Sequence, residues 1–514
     1  MNNSGPGGQR VRLWEGDRDR PASPTSAVVC GGGLAGLAAA TMLSERGVAV
    51  TVLESESSLG GRLRTWPETL PDGSVLGMER GFHAFFRQYY NLRALLRRVN
   101  PDLDRLVPLP DYPIFGPGGM VQSFEDLPTR APANFLEIIR RADTFRWRDL
   151  VRVNGRAALE MLRYDPERTY ARFDSVTAKE YLDSLRFPAE ARRLLFDVFS
   201  HSFFNPEEDM SAAELLMMFH YYFLANAEGL LFDVLDDTFE NALLAPLRKY
   251  LEDRGVRFAT GRRVVSIRRR GGPERRAENR ETRGWWIEHE PSHAYVDVSR
   301  ESADLAVLAM SVQGLRSVVS DSPELGDQAW RAKVKRLGQT SPFAVWRLWL
   351  DSPTAPDRHA FVGTAGYPLL DNVSLFHLFE EESRTWAERT GGSVVELHAY
   401  GMSESATEPA IRAAMQAGLY ELYPETRDAG VVHEVFRVDR DCPAFPPGGH
   451  AWRPEVETPD PDLTLAGDYV RMEFPTALME RATASGFLAA SVLLRPYGVR
   501  PEPLGSVSPR GSLV

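Results

Sequence analysis

The chain has 514 residues, enough for two or three domains, and its 43% apolar and 25% charged residues are ordinary for a soluble globular protein. A net charge of −11 argues against nucleic acid as a partner, and two cysteines (Cys30 and Cys442) are too few for a disulfide framework or a zinc–cysteine site. Residues 1–26 are rich in Gly, Pro, Arg and Asp and lack the apolar core of a signal peptide, so a disordered tail and a cytoplasmic, reducing location are expected.

Ala27 to Cys30 reads as a buried strand that runs into Gly31, Gly33 and Gly36 in the spacing GxGxxG, and a helix follows from Leu34. In this strand–loop–helix order Gly31 allows the tight turn, Gly33 lets a pyrophosphate approach the backbone, and Gly36 lets helix and strand pack closely. The free N–H groups at the helix start, including those of Leu34 and Ala35, favour an anion. Val48 to Leu53 is a second strand, ending on Glu54, an acid suited to the ribose hydroxyls of a bound dinucleotide. Next come Gly60, Gly61 and Arg62, a close-approach turn with a guanidinium fork suited to phosphate.

Further along, Tyr89 to Val99 has helical spacing, and residues 134–226 are mainly helical, broken at Pro166, Pro188 and Pro206. The apolar stretch Leu215 to Leu235 is interrupted by His220, Asn226, Glu228 and Asp233, which disfavours a bilayer crossing. It reads as a buried helix, as the wall of an apolar tunnel, or as a surface that dips into a membrane. Leu243 to Arg254 reads as a helix, Val256 to Ala259 and Arg263 to Ile267 as strands, and Asp304 to Ala309 as a buried parallel strand. Phe343 to Leu350, Ser393 to Tyr400 and Val431 to Asp439 form a second sheet, with a helix over Glu408 to Tyr423. Near the end, Leu463 to Asp468 reads as a strand ending in Gly467–Asp468, and a helix spans Pro475 to Ala490.

The segment Gly60, Gly61, Arg62 and Thr65 after the acid, with Gly467–Asp468 and the Pro475, Met479, Glu480 run, resembles the glutathione-reductase-type FAD enzymes of the amine oxidase and carotene desaturase branch. That resemblance spans residues 27–490. It implies an α/β fold: a Rossmann FAD-binding domain in three separated pieces, a mixed-sheet substrate domain and a helical insertion. The expected division is 27–115, 241–330 and 456–495 for the FAD domain, 116–240 for the insertion, 331–455 for the substrate sheet, and 496–514 for a tail. The resemblance places FAD against Gly31, Gly33, Leu34, Ala35, Gly36, Glu54, Gly60, Gly61, Arg62, Gly81, Phe82, Val264, Gly467, Asp468, Pro475 and Met479. Where many relatives have Gly after Glu480, this chain has Arg481.

The stretch Glu79 to Leu92, with His201 to Asn205, resembles the isorenieratene synthase family of β-carotene desaturase/methyltransferases. It implies an apolar carotenoid substrate, peripheral contact with the inner face of the cell membrane, and conversion of a β-ionone ring to a trimethylphenyl ring by loss of four hydrogens and a 1,2-methyl shift. No methyl donor is needed, so no S-adenosylmethionine site and no metal are expected. Glu79 and His83 are the candidate proton acceptors, with His201 a further one. The crowd of Phe196, Phe199, Phe203, Phe204, Phe219, Tyr221, Tyr222 and Phe223 suits a long polyene or an ordinary core. A flavin amine oxidase or another carotenoid desaturase is the alternative, although the strand Pro342 to Leu350 lacks the Lys that amine oxidases often carry near the flavin.

Overall fold

The computed structural model describes residues 8–130, 133–141, 153–188, 192, 204–271, 284–292 and 298–513. Two sheets organise the site. In chain order their strands are β1 (Ser26–Cys30), β2 (Ala49–Leu53), β3 (Ile114–Gly116), β4 (Met120–Gln122), β5 (Arg257–Ala259), β6 (Leu305–Leu308), β7 (Phe343–Leu350), β8 (Phe361–Thr364), β9 (Asn372–Leu375), β10 (Ser393–Ala399), β11 (Val431–Asp439) and β12 (Leu463–Leu465). Four helices matter here: α1 (Leu34–Glu45), α2 (Ala212–Phe219), α3 (Glu408–Leu422) and α4 (Leu478–Leu494).

The first sheet runs β5-β2-β1-β6-β12 and every pairing in it is parallel. Its central strands are short apolar runs because both faces are covered. The strands come from three distant parts of the chain, so the nucleotide-binding domain is discontinuous. Helix α1 is buried along most of its length and packs against α4. Their small residues permit this: a Cβ on Gly486 would lie 2.1 Å from the Ala35 carbonyl oxygen.

The second sheet runs β11-β7-β10-β9-β8-β3-β4. One face packs on α3, with Ile411, Met415 and Leu419 against Trp346, Leu348 and Leu397. Because side chains alternate across a strand, Glu396 and His398 of β10 lie on the opposite face from Val395 and Leu397.

Three expectations are corrected. Residues 114–122 do not close the first FAD piece and open a helical insertion: they are β3 and β4, which join the edge of the second sheet through the pairing of Gly363 with Ile114. Residues 8–26 and 496–513 are not tails. Gln9 and Arg10 pair with Ser506 and Gly505, the Val11 N–H donates to Leu504 C=O at 2.9 Å, and Val499, Leu504 and Val507 are buried. Each end supplies the other's hydrogen bonds, a pairing that local composition cannot reveal. Phe196, Phe199, His201 and Phe203 lie outside the described residues. Among the described residues no helix is long and apolar enough to cross a membrane; the Leu215–Leu235 stretch is instead part of α2, a π-helical turn at His220–Leu224 and a buried strand at Phe232–Leu235.

Candidate functional site

A cavity of about 560 Å³ runs from the glycine loop after β1 to the inner face of the second sheet. The three loop glycines serve different ends. A Cβ on Gly31 would sit 2.4 Å from the Ala309 carbonyl oxygen, and one on Gly36 would sit 1.9 Å from that of Gly31. Both are glycine because the protein's own backbone leaves no room. Gly33 is not crowded: its nearest neighbour would be 3.8 Å away, and its φ of −78° and ψ of 179° suit any residue. Nothing among the described residues requires glycine there, so its bareness keeps a space open for a bound group. The following helix α1 has no side-chain cap and no acid in its first turn, which leaves its N-terminal N–H groups facing that space.

Gly31, Gly33, Leu34, Ala35, Glu54, Gly60, Gly61, Arg62, Phe82, His83, Val264, Gly467, Asp468 and Met479 all line the cavity. Arg62 and Asp468, 406 residues apart, bond each other at 2.7 Å and clasp the first and last chain pieces. Glu54 also has a role within the fold. Its Oε2 accepts from the Gly32 N–H at 2.6 Å and its Oε1 from the Glu56 N–H at 2.9 Å, so it braces the glycine loop. Gly36 and Gly81 shape the site without lining it, and Pro475 is not a lining residue: its carbonyl accepts from Ser506 Oγ at 2.7 Å. Helix α4 starts at Leu478, three residues later than expected, so Leu478, Met479 and Ala482 face the cavity.

Beyond the glycine loop the wall is aromatic. Phe82 lies 4.5 Å from Phe361 and 5.7 Å from Phe232, centroid to centroid, and Phe232 is 4.8 Å from Tyr112. Phe86 and Tyr222 continue it at 4.9 Å. Tyr222 comes from the π-helical turn, a distortion that occurs often at functional sites.

One polar track crosses this wall. Arg347 of β7, fully buried, donates from Nε to Glu396 Oε2 at 2.7 Å. Glu396 Oε1 meets His398 Nε2 at 2.7 Å, and His398 Nδ1 meets the Tyr400 hydroxyl at 2.5 Å. Asn372 Nδ2 donates to the same hydroxyl at 2.9 Å. His398, Tyr400 and Asn372 all line the cavity. Burial alone would raise the Glu396 carboxyl, but Arg347 and His398 outweigh it and hold the group down at about 2. The strand expected over 393–400 forms, and the polar track it carries is not among the expected site residues. The available signal was the alternation of Glu396, His398 and Tyr400 along an otherwise apolar strand.

The model of the flavin containing amine oxidoreductases matches residues 34–494. The chain belongs to this family. It is 48% identical over 491 residues to a carotenoid phi-ring synthase of Streptomyces griseus, covering 95% of this chain and 91% of that protein. A carotenoid phi-ring synthase of Chlorobaculum tepidum is 29% identical, with 96% and 92% covered. A putrescine oxidase structure shares the fold, with a TM-score of 0.65 at 15% identity, covering 92% of this chain and all but 1% of that one.

The protein is therefore an FAD-dependent oxidoreductase, and the uncrowded Gly33 beside an uncapped helix fits that cofactor. The first candidate acid–base residue, Glu79, does not line the cavity. It is buried with Oε1 accepting from the Phe239 N–H at 2.6 Å and from Thr65 Oγ1 at 3.3 Å, a brace between two chain segments. Burial and the neighbouring Glu380 push its carboxyl well above the ordinary range, and burial raises Glu380 to about 7. His83 does line the cavity. Its Nδ1 bonds the Gly81 carbonyl at 2.8 Å, which leaves Nε2 as an acceptor, and burial lowers the ring to about 4, so it is neutral at pH 7.

A pH prediction follows from the two raised carboxyls. Folded Glu79 and Glu380 keep protons that the unfolded chain releases from about pH 4.5 upward, so their contribution makes stability fall as pH rises from there, for Glu380 up to about 7. Glu79→Gln keeps the acceptor oxygen and removes one titrating group, so its Tm should decline less between pH 5 and pH 8 than that of the wild type. Its turnover should drop by far less than the roughly 10²-fold that loss of an acid–base group costs. Thermal melts with equal slopes would refute the first expectation, and a 10²-fold loss the second.

Proposed function

We propose that this FAD-dependent oxidoreductase acts on a carotenoid, desaturating a β-ionone ring with a 1,2-methyl shift to give an aromatic end group. The observation that carries the reading is one continuous cavity, polar and glycine-lined at the nucleotide end and aromatic at the other. The 48% identical phi-ring synthase, aligned over nearly the full length of both chains, supports the substrate class.

Gly33, Gly61, Arg62, Val264 and Asp468 would hold the FAD, which when bound supplies hydride acceptance. The chain's own residues do the rest. Loss of a hydride beside the gem-dimethyl carbon leaves a ring cation, and the faces of Phe82, Phe232 and Phe361 offer it a π-lined, water-poor surrounding. A methyl group then moves to the neighbouring carbon, and a proton must leave for the ring to become aromatic. His83 Nε2 is the proposed acceptor for one such proton, since the Gly81 carbonyl fixes the other nitrogen as the donor. A polyene of this kind resides in a bilayer, so the reading includes peripheral membrane contact on the cytoplasmic side.

The test is product analysis. Liposomes carrying β-carotene and an added electron acceptor should float with the protein and yield a carotenoid four hydrogens lighter per ring, with all methyl groups retained. Unchanged carotene alongside fully bound FAD would sink the proposal; hydrogen peroxide released with an amine panel would favour the amine oxidase alternative.

A further inference from the structure

A ring that loses four hydrogens to an acceptor of hydride must release two protons, and His83 accounts for one. We propose that Tyr400, backed by His398 and Glu396, is the second proton acceptor, a role that rests on the ring-aromatising reading. Three features of the polar track point to it. Glu396 takes the Nε2–H of His398, so Nδ1 is left as the acceptor for the Tyr400 hydroxyl. The Tyr400 oxygen then donates to His398 and accepts from Asn372, and one lone pair remains on a residue of the cavity wall. The track is also built in: Gly81 has φ +113°, and a Cβ there would lie 2.8 Å from the His398 ring, so glycine at 81 makes room for the imidazole.

The step is redox-neutral. A ring C–H bond breaks and its electron pair becomes the new C=C bond. The proton goes to the Tyr400 oxygen as the hydroxyl's own hydrogen passes to His398 Nδ1. The imidazolium so formed faces the Glu396 carboxylate, which Arg347 and the Phe82 N–H (2.9 Å) hold in place. Tyr400 is the catalytic group, and His398 and Glu396 are positioning residues that act through it.

The experiment uses the full-length holoprotein with β-carotene liposomes and three variants: Tyr400→Phe, His398→Gln and the double substitution. Flavin absorbance, Tm and carotene binding, read by quenching of tryptophan fluorescence, should match the wild type. Aromatic product should fall roughly 10²-fold in each single variant, with a ring product only two hydrogens lighter accumulating, and the double variant should be no worse than either single one because both act in one relay. Undiminished aromatic product, additive losses in the double variant, or loss of flavin or carotene binding would overturn the relay. If Tyr400→Phe does not fold, His398→Gln alone carries the same comparison. A wild-type protein that binds FAD and leaves carotene unchanged would instead overturn the function reading.

Discussion

Gly33→Val will yield a folded protein that carries no flavin. Gly33 is extended and a Cβ there meets no described protein atom closer than 3.8 Å, so a side chain starts into open space in the apo chain and slightly restricts the unfolded one. That side chain would project into the cavity space in front of the uncapped α1, where we propose that the FAD binds. The measurement is the ratio of flavin absorbance to protein absorbance after purification, beside the Tm of the apoprotein. Gly36→Ala is the contrast. Its Cβ would lie 1.9 Å from the Gly31 carbonyl oxygen, a backbone atom that cannot swing aside, so this variant should fail to fold or melt far below the wild type. Full flavin content in Gly33→Val would disprove the account of the loop, as would a normal Tm for Gly36→Ala.

The second large effect lies where the helical insertion meets the flavin domain. Glu214 of α2 is buried and accepts from Arg481 Nη2 at 2.5 Å, Arg453 Nη2 at 3.2 Å and the Tyr170 hydroxyl at 2.6 Å. Arg481, the residue that departs from the family pattern, also donates to the carbonyls of Thr476 (2.9 Å) and Asp468 (3.3 Å). It does not line the cavity; it locks α4 to α2. Burial raises the Glu214 carboxyl, but the two arginines outweigh it and hold the group well below the ordinary range. Glu214→Ala leaves two buried guanidinium groups facing each other without their counter-ion and should cost about 3–5 kcal/mol. A folded carboxyl held low contributes stability above its unfolded value of about 4.5, and that contribution is lost as pH falls through the folded value. Glu214→Gln should accordingly lose less on acidification than the wild type does. Thermal melts at pH 7 and pH 4 check both points, and an unchanged Tm for Glu214→Ala at pH 7 would refute the lock.

Much of the nucleotide half was legible in the chain itself. Strand, glycine loop, helix, strand and acid follow one another within 28 residues, so local periodicity and spacing fix their order. Gly60 to Arg62 and Gly467–Asp468 also proved to lie on one cavity. The errors arose where the partner of a residue is remote in sequence. Glu79, a candidate acid–base group in the sequence, does not line the cavity, and Phe239, 160 residues away, donates into its carboxyl group. The chain ends looked like tails because neither shows its partner strand. The Arg347–Glu396–His398–Tyr400 track went unseen because it forms only when β7 and β10 pair with Arg347 opposite Glu396.

Short motifs carry the family, the cofactor and the Rossmann loop: the glycine loop, Gly60 to Arg62 and Gly467–Asp468 each follow from backbone rules that span only a few residues. Only the packed fold separates the polar groups that reach the cavity from those buried as braces. That distinction depends on desolvation and on hydrogen-bond partners brought together across hundreds of residues, which no local pattern encodes.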